Sequence, residues 1–379
     1  MLPALKTDRF SLADVMPSCL AAISGEPNAL GLAAVDRAVV LLIDGLGAAA
    51  LKARAGHART LAAGFGPASI MESGFPTTTA AALATLTTGS APGQHGLVGY
   101  EVFDTVNDRR MKQLSGWDDS LDPAVWQRVP TVFERAVDAG LSAVAIASER
   151  YRDTGFSGGV LRGAEFIGGS TIGDRIDRAT DWLRSPGTRG IAYVYIPELD
   201  MAGHAFGWES NEWTDRLETV DAAVRTLTQA LGAGDGLLVT SDHGVLDIPE
   251  HGHIFVDANP ELLEGVRFIA GEPRCLQLHF DADASDAVRR ATEQAWREAE
   301  SSRAWIATRD EAIAAGWFGE VAPHVAPRIG DLLVAARKNV AYYDSRAPHS
   351  SGSGMIGQHG SWSPAEVQVP LVRFGAFAR

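Results

Sequence analysis

Four short, almost uninterrupted apolar runs divide the chain, and they constrain its fold more than any other feature. A continuous apolar run of this length is typical of a strand buried on both faces, as in a parallel sheet. Helical stretches such as residues 130–140 and 213–231 lie between the runs. Strands that alternate with helices predict an α/β fold with a mainly parallel central sheet flanked by helices. The runs are AVVLLI (38–43), SAVAIA (142–147), IAYVYI (191–196) and GLLVT (236–240).

The segment from residue 246 to residue 345 has a different pattern. It contains a strand followed by an amphipathic helix at 275–300 and further strand character at 328–343. We therefore predict a small α+β cap inserted between two parts of a catalytic core, residues 1–245 and 346–379. Two features complete the core's last part: a Gly- and Ser-rich mobile loop at 350–361 and a last strand at 367–375.

Charge and cysteine content exclude several classes of protein. Asp and Glu number 47 against 33 Lys and Arg, so the formal net charge is −14 at pH 7. Such a chain repels phosphate backbones, and we expect no nucleic-acid polymer as a partner. Metal ions can still create a local site for a small phosphate compound. Cys19 and Cys275 cannot form a disulfide framework, and they fit a reducing compartment.

The sequence gives no sign of export or membrane insertion. The N-terminus lacks an apolar stretch behind a basic start and does not resemble a signal peptide. The longest apolar runs fall far short of the ~20 residues that span a bilayer. We expect a soluble, cytoplasmic protein with no membrane partner, and the oligomeric state stays open.

Polar residues of the metal-binding type follow three of the four apolar runs. Asp44 follows the first run. Asp200 and His204 follow the third run, and Asp242 and His243 follow the fourth. In an open α/β sheet ligands bind at the carboxyl ends of the strands, so we expect these side chains at one edge. Any one aspartate is equally explained as a helix N-cap, whereas the recurrence favours a metal site.

The spacing within these groups supports that interpretation. Asp200 and His204 stand at i and i+4, so both face one side if a helix starts at Asp200. The alternative is an N-cap aspartate with a partly exposed histidine. Asp242 and His243 lie in a tight turn that can point both side chains at one locus, although an ordinary turn with a satisfied histidine also fits. A late loop flanked by glycines adds His359.

The segment GFPTTTAAALATLTTGS (74–90) predicts a helix preceded by threonines. Thr79 would stand at its N-terminus, where free N–H groups and the helix dipole favour an anion. A hydroxyl in that place can act as a nucleophile if a metal ion helps to deprotonate it. The alternative is that Thr77, Thr78 and Thr79 are only helix caps.

Taken together, these residues resemble the alkaline phosphatase superfamily and, within it, the type I phosphodiesterase/nucleotide pyrophosphatase family. The resemblance rests on the order and spacing of five motifs between about residue 38 and residue 362. They are VVLLIDGLG, FPTTTAAALATLTTGSAPGQHGLVGY, ELDMAGHAFG, VTSDHG and GQHGSW. The resemblance implies an alkaline-phosphatase-like core, with the predicted insertion as the family's cap.

The resemblance also implies a nucleophile and two sets of metal ligands. The family nucleophile stands ten residues before the glycine of a Thr-Gly motif, and counting back from Gly89 gives Thr79. Mixed His and Asp ligands suit Zn²⁺, with Mn²⁺ as an alternative. The implied ligands are Asp44, Asp242 and His243 with the Thr79 hydroxyl for one ion, and Asp200, His204 and His359 for the other.

The implied activity is hydrolysis of a small phosphate ester with the help of two metal ions. The usual substrate of the family is nucleotide-like. The Thr79 alkoxide would attack phosphorus, and water would then hydrolyse a phospho-threonine intermediate. A phosphomonoesterase or a phosphonate hydrolase on the same scaffold stays open. An alternative of a different class is a catalytically silent metal-binding scaffold. The role of His251 and His253, close behind the DHG turn, stays open, with lining the site or binding a third ion as the functional alternatives.

Two departures from the family pattern concern the substrate. Ala80 follows Thr79, where the family's phosphodiesterases usually have an aromatic residue. Gly99 and Tyr100 occupy the stretch where the family often has an asparagine that binds a phosphate oxygen. We therefore predict that Tyr100 binds substrate, and that base stacking passes to other aromatic residues. The principal candidates are Tyr195 and Trp208, and Tyr193 and Phe206 are further ones, although all four are equally explained as aromatic residues of the core or the rim.

Overall fold

The computed structural model describes residues 1–4, 9–346 and 354–378. In the part of the chain so described, the strands are β1 (Arg37–Ile43), β2 (Ile70–Glu72), β3 (Glu101–Asp104), β4 (Arg109–Lys112), β5 (Ser142–Ala147), β6 (Glu165–Gly168), β7 (Gly190–Ile196), β8 (Asp235–Thr240), β9 (Leu246–Asp247), β10 (His253–Phe255), β11 (Val266–Glu272), β12 (Cys275–Phe280), β13 (Ala304–Thr308), β14 (Leu332–Ala336), β15 (Ala341–Tyr343), β16 (Gly357–Gln358) and β17 (Gln368–Gly375).

The α-helices lie between these strands, as an α/β fold requires. In chain order they are α1 (Leu12–Ser24), α2 (Ala48–Ala53), α3 (Arg59–Ala63), α4 (Thr79–Thr88), α5 (Pro92–His95), α6 (Pro123–Trp126), α7 (Val132–Asp138), α8 (Gly155–Val160), α9 (Ile172–Arg184), α10 (Glu198–Phe206), α11 (Asn211–Ala230), α12 (Asp286–Glu300), α13 (Arg309–Ala314) and α14 (Pro364–Val367).

The central sheet has the strand order β2-β17-β8-β1-β7-β5-β6. The strands from β8 to β6 run parallel, and β17 runs antiparallel to β8 and β2. In the middle of the sheet, Val40 of β1 lies opposite Leu238 of β8 and Tyr193 of β7. The mainly parallel sheet predicted from the apolar runs is confirmed, and the predicted last strand at 367–375 is β17.

Helices cover both faces of this sheet, which explains why the runs are continuous rather than alternating. Val40 of β1 packs in a core that contains residues of α1 and α4. Its neighbour Leu41 packs in a second core with residues of α9 and α11. With both faces of the sheet apolar and buried, Asp44, Asp200 and Asp242 lie in the segments that follow β1, β7 and β8.

A second sheet is antiparallel and has the order β13-β14-β12-β11-β3-β4. Four of its strands come from the predicted insertion, 246–345, and Trp296 of α12 is buried in the core of this region. The β3–β4 hairpin lies outside the insertion, yet it joins the sheet through the pair Gly271 and Glu101. The boundaries at 245 and 346 stay a prediction, because the strands of the second sheet come from both sides of residue 245.

A buried ion pair joins the second sheet to loops at the edge of the central sheet. Arg274, in the turn between β11 and β12, donates to both carboxylate oxygens of Glu366 at 2.9 and 2.7 Å. Glu366 also accepts the N–H of Ser361, and its carbonyl accepts the N–H of Gly244. The pair therefore links the second sheet to the segments that follow β8 and β16.

Three further expectations can be compared with the described residues. Residues 350–353 of the predicted loop lie outside them, and Gly357–Gln358 forms β16, which pairs with β9. Cys19 and Cys275 are buried and unpaired. Of the helices described above, none combines the length and the apolar character needed to cross a membrane.

Candidate functional site

The polar residues that follow β1, β7 and β8 meet at one edge of the central sheet. Asp44 comes directly after β1, and Asp200 lies in the first turn of α10, which begins two residues after β7. The N–H of Gly45 donates to Oδ1 of Asp242 at 3.1 Å, which ties the ends of β1 and β8 together. Gly45 has a φ of +75°, and a Cβ there would lie 2.9 Å from the Cβ of Asp200. Glycine is therefore required where these segments cross.

The first candidate metal cluster consists of Asp44, Asp242 and His243, all of them buried. Nε2 of His243 lies 3.5 Å from Oδ1 of Asp44 and 3.3 Å from Oδ2 of Asp242. Oγ1 of Thr79 lies 3.2 Å from the same nitrogen. Two carboxylates, one imidazole and one hydroxyl thus converge on one locus.

Thr79 is placed there by the start of α4. Thr78 is the N-cap with an extended backbone, Thr79 is the first helical residue, and Gly89 ends the helix with a φ of +69°. The helix begins at the residue that the sequence analysis gives. Because the first N–H groups of a helix have no partner within it, the Thr79 hydroxyl stands beside a favourable position for an anion.

The second group consists of Asp200, His204 and His359. Nε2 of His204 lies 3.2 Å from Oδ2 of Asp200, one helical turn away. Nδ1 of His204 donates to the carbonyl of Gly357, and Nδ1 of His359 donates to the carbonyl of Thr77, both at 2.7 Å. These bonds fix the tautomer of each ring and leave Nε2 as the atom that can bind a metal.

The two groups adjoin each other at His243. Ligand atoms of Asp200, His243 and His359 also lie within 4.8 Å of one another. The rings of His243 and His359 stack with their centroids 3.6 Å apart. The structure thus brings all six predicted ligands to one edge of the sheet, and their division into two sets of three stays a prediction.

The donor atoms at this edge fit divalent cations. Oδ1 of Asp44, Oδ1 of Asp200 and Oδ2 of Asp242 are buried and have no hydrogen-bond partner. Burial of an unpaired carboxylate is costly, and a bound cation removes that cost. Burial, together with the charges of Asp242 and Asp200, raises the pKa of Asp44 well above its usual value, and burial raises the pKa of Asp242 to about 6. Carboxylate oxygens combined with imidazole nitrogens suit Zn²⁺ and, less selectively, Mn²⁺.

The histidines differ in their charge state. Burial lowers the pKa of His243 to about 4 and the pKa of His359 to about 3, so both rings are neutral and keep a lone pair for a metal. Burial would also lower the pKa of His204, but the adjacent Asp200 carboxylate raises it to about 9. Burial would raise the pKa of Asp200, but its pair with His204 holds that pKa below the usual range.

Asp44 of the first group and all three residues of the second group line a cavity of about 880 Å³ between the edge of the central sheet and the second sheet, whereas Asp242 and His243 are fully buried next to it. We call the side with Thr79 and the candidate ligands the reactive wall. The opposite side, which we call the second-sheet wall, consists of residues 266–273 of β11 and the following turn, with Tyr100 and Lys112. A cavity of this size is large enough for an organic group beyond a single phosphate.

Tyr100 lines this cavity, as its predicted role in substrate binding requires. Its N–H donates to Oε2 of Glu272 at 2.8 Å. The ammonium of Lys112 lies 5.9 Å from the centroid of its ring. The half-buried ring therefore presents an aromatic surface and a nearby positive charge to the cavity.

The other two predicted substrate-binding residues have different surroundings. Tyr195 lines the cavity, but its hydroxyl donates to Oδ2 of Asp44. Trp208 lies outside the cavity, where its ring meets Trp213 edge-on at 6.4 Å and lies beneath the guanidinium of Arg54. The cavity geometry gives no support to a substrate contact of Trp208.

Four other residues weighed in the sequence analysis do not belong to the two groups of candidate ligands. In the described structure Tyr193 is buried, Phe206 and His251 are exposed, and His253 packs edge-on against Tyr343.

Glu272 is a cavity residue that the sequence analysis missed. Its Oε2 accepts the N–H of Tyr100, whereas its Oε1 is buried without a hydrogen-bond partner. Burial raises the pKa of Glu272 to about 8. A Cβ on Gly360 would lie 2.4 Å from the Cγ of Glu272, so the glycine next to His359 makes room for this side chain. No local pattern marks Glu272, because only the pairing of distant strands brings it to the site.

Comparison with known families shows a match over most of the chain. The model of the family "Type I phosphodiesterase / nucleotide pyrophosphatase" matches residues 38–362. These residues include every candidate ligand and Thr79.

Individual relatives are more distant. An uncharacterised pyrophosphatase/phosphodiesterase of Schizosaccharomyces pombe is 26% identical over 197 residues, which cover 48% of this chain and 39% of that protein. The chain thus aligns with well under two thirds of the length of this relative. Murine ectonucleotide pyrophosphatase/phosphodiesterase 5 has a similar structure, with a TM-score of 0.69, 17% identity, and 89% and 88% of the two chains covered.

Two further structures show the same likeness. An inactive threonine-to-alanine variant of the murine protein, in complex with AMP, gives the same TM-score of 0.69 and 17% identity, again over 89% and 88% of the two chains. The human protein gives a TM-score of 0.67 and 16% identity, over 89% and 87%. At these identities the likeness shows a common fold.

Proposed function

This chain belongs to the type I phosphodiesterase/nucleotide pyrophosphatase family, and from that premise we propose that it hydrolyses phosphodiester or pyrophosphate bonds in small, nucleotide-like substrates. The reaction depends on two divalent metal ions, with Zn²⁺ first and Mn²⁺ second in preference. Thr79 is the nucleophile. The two buried, unpaired cysteines fit a reducing compartment, and we propose a cytoplasmic location on that ground.

One observation carries this proposal. The hydroxyl of Thr79 lies 3.2 Å from Nε2 of His243, which is itself within 3.5 Å of the carboxylates of Asp44 and Asp242. A hydroxyl at a helix N-terminus has no structural need for such neighbours, since capping would require only backbone N–H groups. Its position among candidate metal ligands is what an activated nucleophile requires.

The residues divide the task of holding the ions. Asp44, Asp242 and His243 would hold one ion next to the Thr79 hydroxyl, and Asp200, His204 and His359 would hold the other. When bound, such ions lower the pKa of a coordinated hydroxyl and stabilise the negative charge that develops on attacking and leaving oxygens.

The chain's own residues then perform two displacements at phosphorus. Oγ1 of Thr79 gives up its proton and attacks the phosphorus of RO–PO₂⁻–OR′, the bond to OR′ breaks, and R′O⁻ leaves with the electron pair and takes up a proton. Thr79 now carries the RO–PO₂⁻ group as a covalent ester. Water attacks the same phosphorus, the bond to Oγ1 breaks, and ROPO₃²⁻ leaves; one proton of the water goes to Oγ1 of Thr79 and the other to solvent. Free N–H groups at the start of α4 are placed to bind a phosphoryl oxygen in both steps.

The second-sheet wall supports an organic substituent on the phosphate. Tyr100 offers a ring face, and Phe268 and Ile269 of β11 add apolar surface along the same cavity. The murine relative's structure with AMP concerns a nucleotide, and a ligand of that kind suits a cavity of about 880 Å³ with an aromatic wall.

The test compares bis(p-nitrophenyl) phosphate with p-nitrophenyl phosphate, using purified protein loaded with Zn²⁺ or Mn²⁺ and metal-stripped protein as the baseline. We expect a kcat/KM for the diester far above that for the monoester, and turnover of neither without metal. A reversed preference would make the protein a phosphomonoesterase. Turnover of neither compound by protein that holds two ions would favour the catalytically silent scaffold.

A further inference from the structure

Tyr195 stands next to a candidate metal ligand rather than in open cavity space. In the parallel pairing of β1 with β7, Tyr195 lies opposite Leu42. Asp44 comes two residues after Leu42 and therefore on the same side of the sheet, about 7 Å farther along the strand. The long side chain of Tyr195 spans that distance, and its hydroxyl donates to Oδ2 of Asp44.

This hydrogen bond divides the tasks of the two oxygens of Asp44. Oδ2 accepts from the phenol, while Oδ1 has no hydrogen-bond partner and lies 3.5 Å from Nε2 of His243. A carboxylate fixed through one oxygen presents the other to a cation in a constant orientation. Partners of this kind commonly control the affinity of a metal ligand.

The ring of Tyr195 is held in place by its neighbours. It stacks on Tyr193 with an interplanar angle of 16° and a centroid distance of 6.3 Å, and Tyr151 lies 6.0 Å away at an angle of 56°. Only 8% of the residue is exposed. Both the exposure and the packing leave little ring surface for a substrate base to stack on.

We propose that Tyr195 is a positioning residue for the first metal cluster: its hydroxyl orients Asp44 so that Oδ1 binds the ion next to Thr79. This inference rests on the metal sites of the proposed function and replaces the base-stacking role predicted for Tyr195 from the sequence. The replacement matters because the two roles predict different effects of the same substitution.

The chain offers a matched control on the same strand. Tyr193 lies two residues before Tyr195, its ring stacks on that of Tyr195, and its buried hydroxyl has no hydrogen-bond partner. Tyr193→Phe and Tyr195→Phe therefore remove the same atom from neighbouring buried rings. Only the second removes a bond to a candidate ligand.

The experiment measures Zn²⁺ binding to metal-stripped wild type, Y195F and Y193F by competition with a chromophoric chelator, and thermal unfolding confirms that each is folded. We expect the wild type and Y193F each to bind two Zn²⁺ ions, and each site to have the same affinity in the two proteins. In Y195F one site should weaken by ~10–100-fold while the other is unchanged. Equal affinities in Y195F and the wild type would overturn the positioning role and leave the proposed function standing. A wild type that binds neither Zn²⁺ nor, in the same assay, Mn²⁺ would overturn both.

Steady-state kinetics give a second and independent readout. In Y195F a rise in metal concentration should restore kcat for the diester, and KM at saturating metal should equal the wild-type value. Phe keeps the aromatic ring, so a stacking role predicts normal metal dependence in Y195F and a raised KM in Tyr195→Leu. That second pattern would contradict the positioning role.

Discussion

The reactive wall and the second-sheet wall of the cavity are built in different ways. On the reactive wall, Asp44, Asp242 and His243 each follow the end of a strand in the central sheet, and none of the three is more than 3% exposed. On the second-sheet wall, the side chain of Lys112 is 41% exposed and that of Arg267 is 35% exposed. The reactive groups are thus desolvated and fixed, whereas the positively charged side chains of the second-sheet wall are partly hydrated, and Glu272 is the buried exception on that wall.

This difference predicts which substitutions should have large effects on activity and which should have small ones. Electrostatic interactions are strong where water is excluded and weak where it is not. Substitutions on the reactive wall should therefore affect kcat and metal content strongly. Substitutions on the second-sheet wall should mainly affect KM or stability, and by much smaller factors.

The largest effect should come from Thr79→Ala. Loss of the nucleophile should lower kcat for bis(p-nitrophenyl) phosphate by about 10³-fold or more, and Thr79→Ser should recover part of the rate because it keeps a hydroxyl. The matched control is Thr87→Ala on the same helix, whose hydroxyl bonds to the carbonyl of Leu83. Its kcat should stay near the wild-type value. Full activity in Thr79→Ala would contradict the catalytic role that we assign to the reactive wall.

The next largest effect should come from a metal ligand. Asp242→Asn keeps an oxygen that can accept the N–H groups of Gly45 and His243, but it removes the charge. We expect metal analysis to show one ion lost per chain, and activity to fall by more than the ~10–100-fold typical of residues that only orient a ligand. Asp221→Asn, a buried aspartate that accepts the N–H groups of Thr60 and Leu61, is the control. Equal metal content in Asp242→Asn and Asp221→Asn would contradict the first cluster.

A smaller effect is expected from the second-sheet wall. Tyr100→Leu removes a ring that lines the cavity and should raise KM for the diester by about 3–10-fold, the range of one aromatic contact, with little change in kcat. Tyr100→Phe separates the ring from the hydroxyl, and an unchanged KM there assigns the effect to the ring. If Tyr100→Leu instead lowered kcat at constant KM, the prediction that substitutions on the two walls have different kinetic effects would be wrong.

The smallest effect concerns stability rather than turnover. Burial raises the pKa of Glu272 to about 8, so between its ordinary pKa and that value the folded protein holds a proton that the unfolded chain has lost. Stability should therefore fall as pH rises through this window and level off above it. Glu272→Gln removes this loss and keeps an acceptor for the N–H of Tyr100. Thermal unfolding of metal-stripped protein should be measured at pH 6 and pH 9. The stability of Glu272→Gln relative to the wild type should be higher at pH 9 than at pH 6. An equal difference at both pH values would contradict the prediction.

The sequence predicted the central sheet and the ligands next to it for local reasons. Each buried strand is a continuous apolar run, and Asp44, Asp242 and His243 follow such runs within three residues. The start of α4 at Thr79 was equally local, because threonines precede an Ala-rich helix. His359 lies in a loop with little local signal, and the family resemblance was needed to connect it with Asp200.

What the sequence did not predict depends on contacts between distant segments. The β3–β4 hairpin consists of four-residue strands, which are too short to show a clear alternation, and it meets β11 through Glu101 and Gly271. That pairing brings Glu272, the next residue of β11, beside Tyr100, whose N–H it accepts. Tyr195 was recognised as a residue of the site, but the partner of its hydroxyl follows from the register of β1 and β7, which sequence patterns do not give.

The central claim, that Thr79 is the nucleophile of a covalent mechanism, has a direct test at the phosphorus atom. A phosphorothioate diester of known chirality would be hydrolysed in ¹⁸O-labelled water by the metal-loaded protein, and the configuration of the product determined. Two in-line displacements, first by Thr79 and then by water, predict net retention of configuration. Inversion would mean that water attacks the substrate directly, and that Thr79 forms no covalent intermediate.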